Sequence, residues 1–327
     1  MDLSTSYMGI GIRNPIIASS SNLTSDIESI KALADQGIGA VVLKSLFEEQ
    51  IISDKTILDR QDEMYYWYPE AVNFLDTYIS KEGITEYLKL IEQAKKTVSI
   101  PVFASINCNS PQKWPSIASE IENSGADGLE LNIMIMPADI NVTASQIEDT
   151  FSNIILEVRK NIKLPISIKI SSYFTNLHRM LYQLCKKDIN SLVLFNRAFR
   201  PDIDINNIRV VSDNIFSAPE EITLSLRWIA MLQKRVNVEL VAATGIHDGA
   251  GVIKQVLAGA TAVQVCSTLY KNGIGYIATM LEDIRKWMQD KGYESLAAFR
   301  GLVGENELNA ASYERVQFMK KTAGKIF

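Results

Sequence analysis

Short apolar runs rich in valine, isoleucine and leucine recur along the chain, separated by longer stretches with helical periodicity. The runs do not alternate strictly between apolar and polar residues, which is typical of parallel strands buried on both faces. The eight runs are Ile16–Ser20, Val41–Ser45, Val102–Ile106, Leu129–Ile133, Ile166–Ile170, Leu192–Asn196, Leu240–Thr244 and Ala262–Ser267. Eight strand–helix repeats predict an α/β fold, a (β/α)8 TIM barrel. An open doubly wound sheet is the alternative, disfavoured because no GxGxxG motif follows the first run.

Composition and charge narrow the possible domain organisation and partners. No linker or composition break divides residues 1–327, so we predict a single domain. With 47% hydrophobic and 22% charged residues, the chain is too apolar for disorder and too mixed for a membrane protein. A net charge of −5 argues against a broad nucleic-acid surface. The first residues, Met1–Gly11, lack a signal-peptide pattern, so we expect a cytoplasmic protein that binds neither membrane nor nucleic acid.

The cysteines indicate no metal centre and no disulfide framework. Cys108, Cys185 and Cys266 are far apart in the sequence, and no CxxC motif or cysteine–histidine cluster is present. This pattern predicts free thiols and no metal site.

Polar residues stand at the carboxyl end of every predicted strand, where barrel enzymes place their chemistry. Two of them, Lys44 and Lys169, are lysines inside apolar runs, and a buried lysine is costly unless it meets an anion or an acceptor. Asn132 and Asn196 end two other strands, and Asn107 fits the same rim. Together these strand-end residues favour a polar functional site over the alternative, in which each is a structural side chain hydrogen-bonded by its neighbours.

Two long connections follow strands and are candidate lids over that site. The first covers residues 46–82 and contains the aromatic cluster Tyr65–Tyr68. This cluster could equally form a local core or a subunit contact. The second connection covers residues 197–217.

The last two strand ends have the small residues of a phosphate site. Thr244, Gly245 and Ile246 end the seventh run, and Cys266, Ser267 and Thr268 end the eighth. Backbone amides at such ends, with small side chains that allow close approach, typically bind phosphate in barrels. His247 either lies near this phosphate or is an ordinary surface histidine.

An ordered set of motifs extends over nearly the whole chain. The motifs are Asn14–Ser19 (NPIIAS), Gly39–Ser45 (GAVVLKS), Glu130–Asn132 (ELN), Ile168–Lys169 followed by Tyr173–Phe174, Gly245–Ile246, and Ala258–Gln264 (AGATAVQ). Together they resemble the dihydroorotate dehydrogenases, most closely the soluble class 1 branch.

The resemblance implies an FMN-dependent enzyme that oxidises dihydroorotate to orotate, with hydride passing from C6 to flavin N5 while a base takes the C5 proton. It implies roles for Lys44, Asn132 and Asn196 in catalysis. The residues it implies for cofactor binding, together with the rim residue Asn107, are Ser19, Ser20, Lys44, Ser45, Asn107, Asn132, Lys169, Asn196, Ser217, Ala218, Thr244, Gly245, Ile246, Cys266, Ser267 and Thr268. It further implies a homodimer and a soluble electron acceptor such as fumarate.

The chain departs from the family pattern at the chemistry itself. Ile135 falls where the family has its catalytic cysteine or serine, and an aliphatic side chain cannot accept a proton. Asp139, Cys108 or Tyr66 could replace that base, although each has a more ordinary structural role. Two alternatives therefore stay open. One is a flavin oxidoreductase acting on another small unsaturated substrate, and the other is a flavin-binding barrel with little turnover.

Overall fold

The fold is described from a computed structural model that covers residues 1–47, 81–109, 114–136, 138–198, 200–211 and 215–304. Its strands are β1 Thr5–Tyr7, β2 Ile10–Ile12, β3 Ile16–Ala18, β4 Ala40–Val42, β5 Leu46–Phe47, β6 Val102–Cys108, β7 Gly128–Ile133, β8 Ile166–Ile170, β9 Ser191–Leu194, β10 Asp202–Asp204, β11 Arg209–Val211, β12 Glu239–Ala243 and β13 Ala262–Val265. Its α-helices are α1 Ile27–Asp35, α2 Lys81–Thr97, α3 Trp114–Asn123, α4 Ala144–Arg159, α5 Leu177–Leu184, α6 Ile222–Leu232, α7 Gly249–Ala258, α8 Ser267–Asn272 and α9 Tyr276–Lys291.

Eight parallel strands close into a barrel, which confirms the predicted (β/α)8 fold. The order around the barrel is β3, β4, β6, β7, β8, β9, β12 and β13, and β13 pairs again with β3. The short strand β5 pairs with the carboxyl-terminal half of β6. The helices cover the outside, as the amphipathic stretches between the runs predict.

Each barrel strand has two buried faces, which explains its lack of strict alternation. In β7, Leu129, Leu131 and Ile133 belong to the core between strands and helices. Glu130 on the same strand instead bonds to residues inside the barrel. The barrel interior therefore contains polar side chains where hydrogen-bond partners are available to them.

An antiparallel hairpin of β1 and β2 closes the amino-terminal end of the barrel. Tyr7, with Met8 and Ile12, packs in the barrel interior, and the Tyr7 ring lies edge-on to Phe103 with centroids 4.7 Å apart. Glu239, at the start of β12, accepts hydrogen bonds from the Ser6 hydroxyl and the Gly9 amide. A functional site is therefore expected at the opposite end of the barrel, where the strands have their carboxyl ends.

The two predicted lids differ in what the structure describes. Residues 48–80, with Tyr65–Tyr68, lie outside the described residues, and helix α2 begins at Lys81. The second connection contains the exposed hairpin of β10 and β11. Whether either segment acts as a lid stays a prediction. No α-helix of the described ranges is both long and apolar enough to cross a membrane.

Candidate active site

The carboxyl ends of the barrel strands surround a cavity of about 320 Å³, which we call the mouth cavity. Nine of the residues that the sequence assigned to the site line it: Ser19, Lys169, Asn196, Ser217, Thr244, Gly245, Ile246, Cys266 and Ser267. Seven others lie at the same strand ends or in the loops after them without forming this lining: Ser20, Lys44, Ser45, Asn107, Asn132, Ala218 and Thr268.

Lys169 enters the mouth cavity from strand β8 and is held by a buried network. Its Nζ donates to Ser19 Oγ and Gln264 Oε1, both at 3.0 Å, and lies 3.8 Å from Glu130 Oε1. Glu130 is fully buried and accepts a 2.8 Å hydrogen bond from the Tyr7 hydroxyl. Burial, together with the Glu130 charge, raises the pKa of Tyr7 well above its ordinary value. Lys169 is thus a buried cation with a counter-ion behind it.

A chain of hydroxyl groups connects the segments that follow β3 and β4 to strand β6, beside this network. Ser45 Oγ lies 3.0 Å from Ser20 Oγ and 2.8 Å from Ser105 Oγ, and the Ser45 amide donates to Ser20 Oγ at 2.8 Å. The Tyr87 hydroxyl accepts from the Ser105 amide and donates to its carbonyl. Burial raises the pKa of Tyr87, so the phenol stays protonated. These bonds fix the predicted residues Ser20 and Ser45 in place.

The asparagines at the rim fall into two groups. Asn196 Nδ2 donates to Asn132 Oδ1 at 2.7 Å and lies 3.6 Å from Met134 Sδ. Asn107 is aligned with Asn132 on the neighbouring strand and is 1% exposed. Among the described residues, neither polar atom of its side-chain amide has a hydrogen-bond partner. A buried amide in this condition is the mark of a missing polar ligand or water.

Lys44 points along the rim instead of into the barrel. Its Nζ donates to Asn22 Oδ1 at 2.6 Å, and Asn22 lines the mouth cavity. Lys44 therefore borders the cavity through Asn22, and it differs from Lys169, which lines the cavity directly.

The turn after β12 brings the backbone unusually close to helix α6. Gly245 has φ +79°, and a Cβ there would lie 2.1 Å from the Ile222 amide nitrogen, so no other residue fits without movement. Thr244 also has a positive φ, +72°, and its hydroxyl donates to the Phe195 carbonyl at 3.0 Å. Thr244 thus adopts a backbone conformation that glycine favours.

The neighbouring strand end supplies further polar groups. Strand β13 ends at Val265, so Cys266 caps helix α8 and Ser267 is its first residue, a small correction to the predicted strand end. Ser267 Oγ accepts from the Ser217 amide at 3.0 Å, and Ser217 Oγ lies 3.0 Å from His247 Nε2. Burial, then the Lys271 charge, lowers the pKa of His247, and the Lys271 ammonium donates to the Ser217 carbonyl.

A second cavity, of about 240 Å³, adjoins the first, and we call it the side pocket. The two share Asn196, Arg197 and Thr244 among their lining residues. Arg197 Nε and Arg200 Nη2 lie 3.1 Å and 2.7 Å from Glu221 Oε2. Burial raises the pKa of Glu221, but the Arg197 hydrogen bond and the other donors and charges around it lower the pKa more, so Glu221 is ionised.

The loop after β7 offers no strong base to either cavity in the part that the structure describes. Ile135 is half-buried and packs against the core between strands and helices. Asp139 is exposed and accepts hydrogen bonds from Asn141, and Cys108 is fully buried in the same core. Tyr66 lies outside the described residues. Neither Asp139 nor Cys108 lines the mouth cavity or the side pocket.

Sequence reasoning missed several residues that build the site. Besides the predicted residues, the mouth cavity is lined by Ser21, Asn22, Phe195, Arg197, Ile215, Phe216, Ala243, Gln264, Val265 and Tyr270. Gln264 had a usable signal, because it is a polar residue inside an apolar run, like Lys169. Glu130 had the same signal, because it lies inside the run Leu129–Ile133, but Tyr7 had none beyond its residue type.

Comparison with known proteins agrees with this arrangement. The family model described as "Dihydroorotate dehydrogenase" matches residues 2–288. A relative from Thermoplasma volcanium is 25% identical over 313 residues, covering 92% of this chain and 98% of the relative. One from Geobacter sp. is 26% identical and covers 94% and 99%, and one from Petrotoga mobilis is 23% identical and covers 93% and 100%. All three are named dihydroorotate dehydrogenase B (NAD(+)), catalytic subunit. The chain therefore belongs to the dihydroorotate dehydrogenase family, a family of flavin-dependent oxidoreductases that act on CH–CH groups.

Proposed function

We propose that this protein is an FMN-dependent oxidoreductase that oxidises dihydroorotate, or a closely similar dihydro compound, at the mouth cavity. Family membership gives the reaction class. The observation that carries the proposal is the buried Lys169 ammonium in the cavity lining, bonded to Ser19 and Gln264. A fixed cation at this place favours a ligand that becomes more negative during the reaction.

The residues at the cavity fit FMN as the cofactor. Asn107 lies outside the cavity lining, but its buried side-chain amide has no partner among the described residues, which suits a polar group of a bound ligand. Gly245 and Ile246 line the cavity together with Ser217 and Ser267, and their backbone amides would hold the phosphate there. When bound, FMN would supply hydride acceptance, which no side chain of the protein can provide.

The protein's own part in the reaction is to bind, orient and supply charge. The Lys169 charge would lower the free energy of a more anionic cofactor. Asn132 and Asn196, joined by their 2.7 Å hydrogen bond, present amide groups that would orient a substrate with an amide edge. Met134, directly after β7, contacts Asn196 of this pair through its Sδ. We propose that Asn132, Asn196 and Lys44 act in this way on the substrate side.

Proton removal separates the main proposal from its competitors. Ile135 cannot act as a base, and general-base catalysis is typically worth roughly 10²–10⁴-fold in rate. This substitution specifically favours a second candidate, a flavin oxidoreductase acting on another small unsaturated compound. A flavin-binding barrel with little turnover is the remaining candidate.

The electron acceptor and the assembly are also proposals. The relatives' names specify NAD(+) and a catalytic subunit, which suggests NAD(+) and a partner subunit for this protein as well. Fumarate as acceptor and a homodimer are implied by the sequence resemblance, and the cytoplasmic location is expected because Met1–Gly11 lack a signal-peptide pattern; all three stay predictions.

Anaerobic mixing of the FMN-loaded protein with dihydroorotate tests the function. We expect the visible flavin absorbance to bleach, and reoxidation by NAD(+) or fumarate then identifies the acceptor. As a matched pair, Lys169→Gln should bleach much more slowly, and Lys160→Gln, at an exposed lysine, should behave as the wild type. A flavin that dithionite reduces and dihydroorotate does not would refute dihydroorotate as the substrate.

A further inference from the structure

We infer that Gln264 is a positioning residue, which holds the Lys169 ammonium at the mouth cavity and away from Glu130. This inference rests on the proposed function and deepens it, because it names the residue that sets how much of the Lys169 charge a bound cofactor meets. Gln264 belongs to strand β13, is 2% exposed and lines the mouth cavity. Its side chain is hydrogen-bonded to both Lys169 and Glu130.

The two ends of the Gln264 side-chain amide bond to groups of opposite charge. Its Oε1 accepts from Lys169 Nζ at 3.0 Å and from Ser19 Oγ at 3.2 Å. Its Nε2 donates to Glu130 Oε2 and, at 3.3 Å, to the Tyr7 hydroxyl. A reversed amide would place N–H groups against the ammonium and an oxygen against the carboxylate, so these two charges fix its orientation. The amide therefore presents its oxygen to Lys169.

The distance between the two ions indicates what this amide prevents. Lys169 Nζ lies 3.8 Å from Glu130 Oε1, which is about 1 Å longer than a charge-assisted hydrogen bond. Glu130 Oε1 is buried and accepts no hydrogen bond from the described residues. An ammonium free to move would close this gap, because a buried carboxylate oxygen is costly to leave unpaired. The bonds from Lys169 to Gln264 and Ser19 hold Nζ short of that direct ion pair.

The position of Nζ decides where the Lys169 charge acts. No carboxylate is among the described residues that line the mouth cavity, so Lys169 meets its carboxylate only behind the lining, at Glu130. A cation held towards the cavity favours reduced FMN, which carries more negative charge, over oxidised FMN. A cation withdrawn into a direct pair with Glu130 would favour it less. Gln264 therefore makes the bound cofactor a better hydride acceptor.

Equilibrium reduction of the FMN-loaded protein by dithionite, read against an indicator dye, tests this inference. In Gln264→Met, which has a similar volume, Nζ loses its acceptor and should move to Glu130. The ratio of the affinities for reduced and oxidised FMN should then fall by about 10- to 100-fold, as for one hydrogen bond to a charged group. Each tenfold change lowers the reduction potential of a two-electron couple by about 30 mV.

Gln255→Met is the matched control for loss of a buried glutamine. Gln255 is fully buried, its Nε2 donates to Ser225 Oγ at 2.8 Å, and it lines neither cavity. This substitution should lower stability and leave the reduction potential of the bound FMN unchanged.

A double substitution separates positioning from direct contact with the cofactor. Lys169→Met should lower the affinity ratio at least as much as Gln264→Met does. Adding Gln264→Met to Lys169→Met should change the ratio by no more than about 2-fold, because Gln264 acts through Lys169.

Tyr7→Phe decides the question if Gln264→Met does not fold. Tyr7 is fully buried, lines neither cavity, and bonds to both Glu130 and Gln264. Without its hydroxyl, Glu130 should attract Lys169 more strongly, and the affinity ratio should fall by about 2- to 10-fold. An unchanged ratio would then refute the inference.

A crystal structure of flavin-free Gln264→Met gives a second measurement that needs no cofactor. The distance from Lys169 Nζ to Glu130 Oε1 should shorten from 3.8 Å to about 2.7–2.9 Å. If the wild type binds no FMN, the proposed function fails, and this distance still decides whether Gln264 positions Lys169.

Three results would overturn the inference. The affinity ratio could stay unchanged in Gln264→Met. The effects of Gln264→Met and Lys169→Met could add in full, which would assign Gln264 a contact with the cofactor of its own. The distance between Lys169 and Glu130 could stay near 3.8 Å in the variant.

Discussion

Glu130 Oε1 lies 3.8 Å from Lys169 Nζ inside the barrel, with both side chains almost fully buried. The two residues belong to adjacent strands, and Tyr7 and Gln264 bond the other carboxylate oxygen. The pair joins the hairpin that closes one end of the barrel to the cavity at the other end. Charge in the cavity and stability of the barrel therefore depend on the same residues.

Removing one charge of this pair should destabilise the protein strongly. Glu130→Gln keeps the shape and leaves Lys169 buried without a counter-ion, and breaking a buried ion pair in this way costs about 3–5 kcal/mol. Chemical denaturation of the flavin-free protein measures the change in free energy of unfolding. Glu157→Gln, in an exposed pair with Lys160, is the control and should change it by less than about 1 kcal/mol. Equal effects of the two substitutions would contradict the role given to Glu130.

Lys44 should matter for reactivity more than for folding. It is half-exposed and bonds to Asn22 at the edge of the cavity, so Lys44→Ala should change the free energy of unfolding by no more than about 0.5 kcal/mol. Flavin reduction by substrate should nevertheless slow, because a cation bordering the site is lost. Stopped-flow absorbance measures the rate, and full activity of the variant would remove Lys44 from the site.

The barrel could be predicted from the sequence because burial on both strand faces leaves a clear pattern. Runs such as Val102–Ile106 correspond to strands of the barrel, here β6. The two β-hairpins could not be predicted from apolar runs, for a physical reason. Strands β1 and β2 have three residues each, and β10 and β11 are mostly exposed, so none of them produces an apolar run.

The residue types at the site could be predicted from the sequence more reliably than the directions in which their side chains point. A lysine inside an apolar run indicated Lys169 correctly as a buried cation, and the same signal at Lys44 marked a residue that turns along the rim. The arginine–glutamate cluster joins Arg197 to Glu221, 24 positions later, through loops without periodicity. Only the folded chain brings such residues together.

His247 should make the flavin-free protein less stable in mild acid. Burial and the Lys271 charge lower its folded pKa below the ordinary value of 6.5, so the unfolded chain binds the proton more readily. The contribution of neutral His247 to the free energy of unfolding is therefore fully present above pH 6.5. It falls as the pH drops through that value and on towards the folded pKa. Melting temperatures measured between pH 5 and pH 8 should show a smaller decline for His247→Gln than for the wild type. His178→Gln removes the chain's other histidine and serves as control, and an unchanged decline in His247→Gln would contradict the assignment.

Gly245 and Gly273 form a matched pair that isolates the close backbone approach at the predicted phosphate site. Both have φ +79°, but a Cβ at 245 would lie 2.1 Å from the Ile222 nitrogen, and a Cβ at 273 would have no neighbour within 4 Å. Gly273→Ala should therefore show only the backbone strain, about 1–3 kcal/mol, because φ +79° with ψ 159° is a region that essentially only glycine adopts. Gly245→Ala should lose roughly 1–3 kcal/mol more through overpacking, and it should weaken FMN binding because the turn must move. Denaturation curves and FMN titration of both variants check this prediction. If the two substitutions weakened FMN binding equally, the approach of Gly245 to Ile222 would not shape the cofactor site.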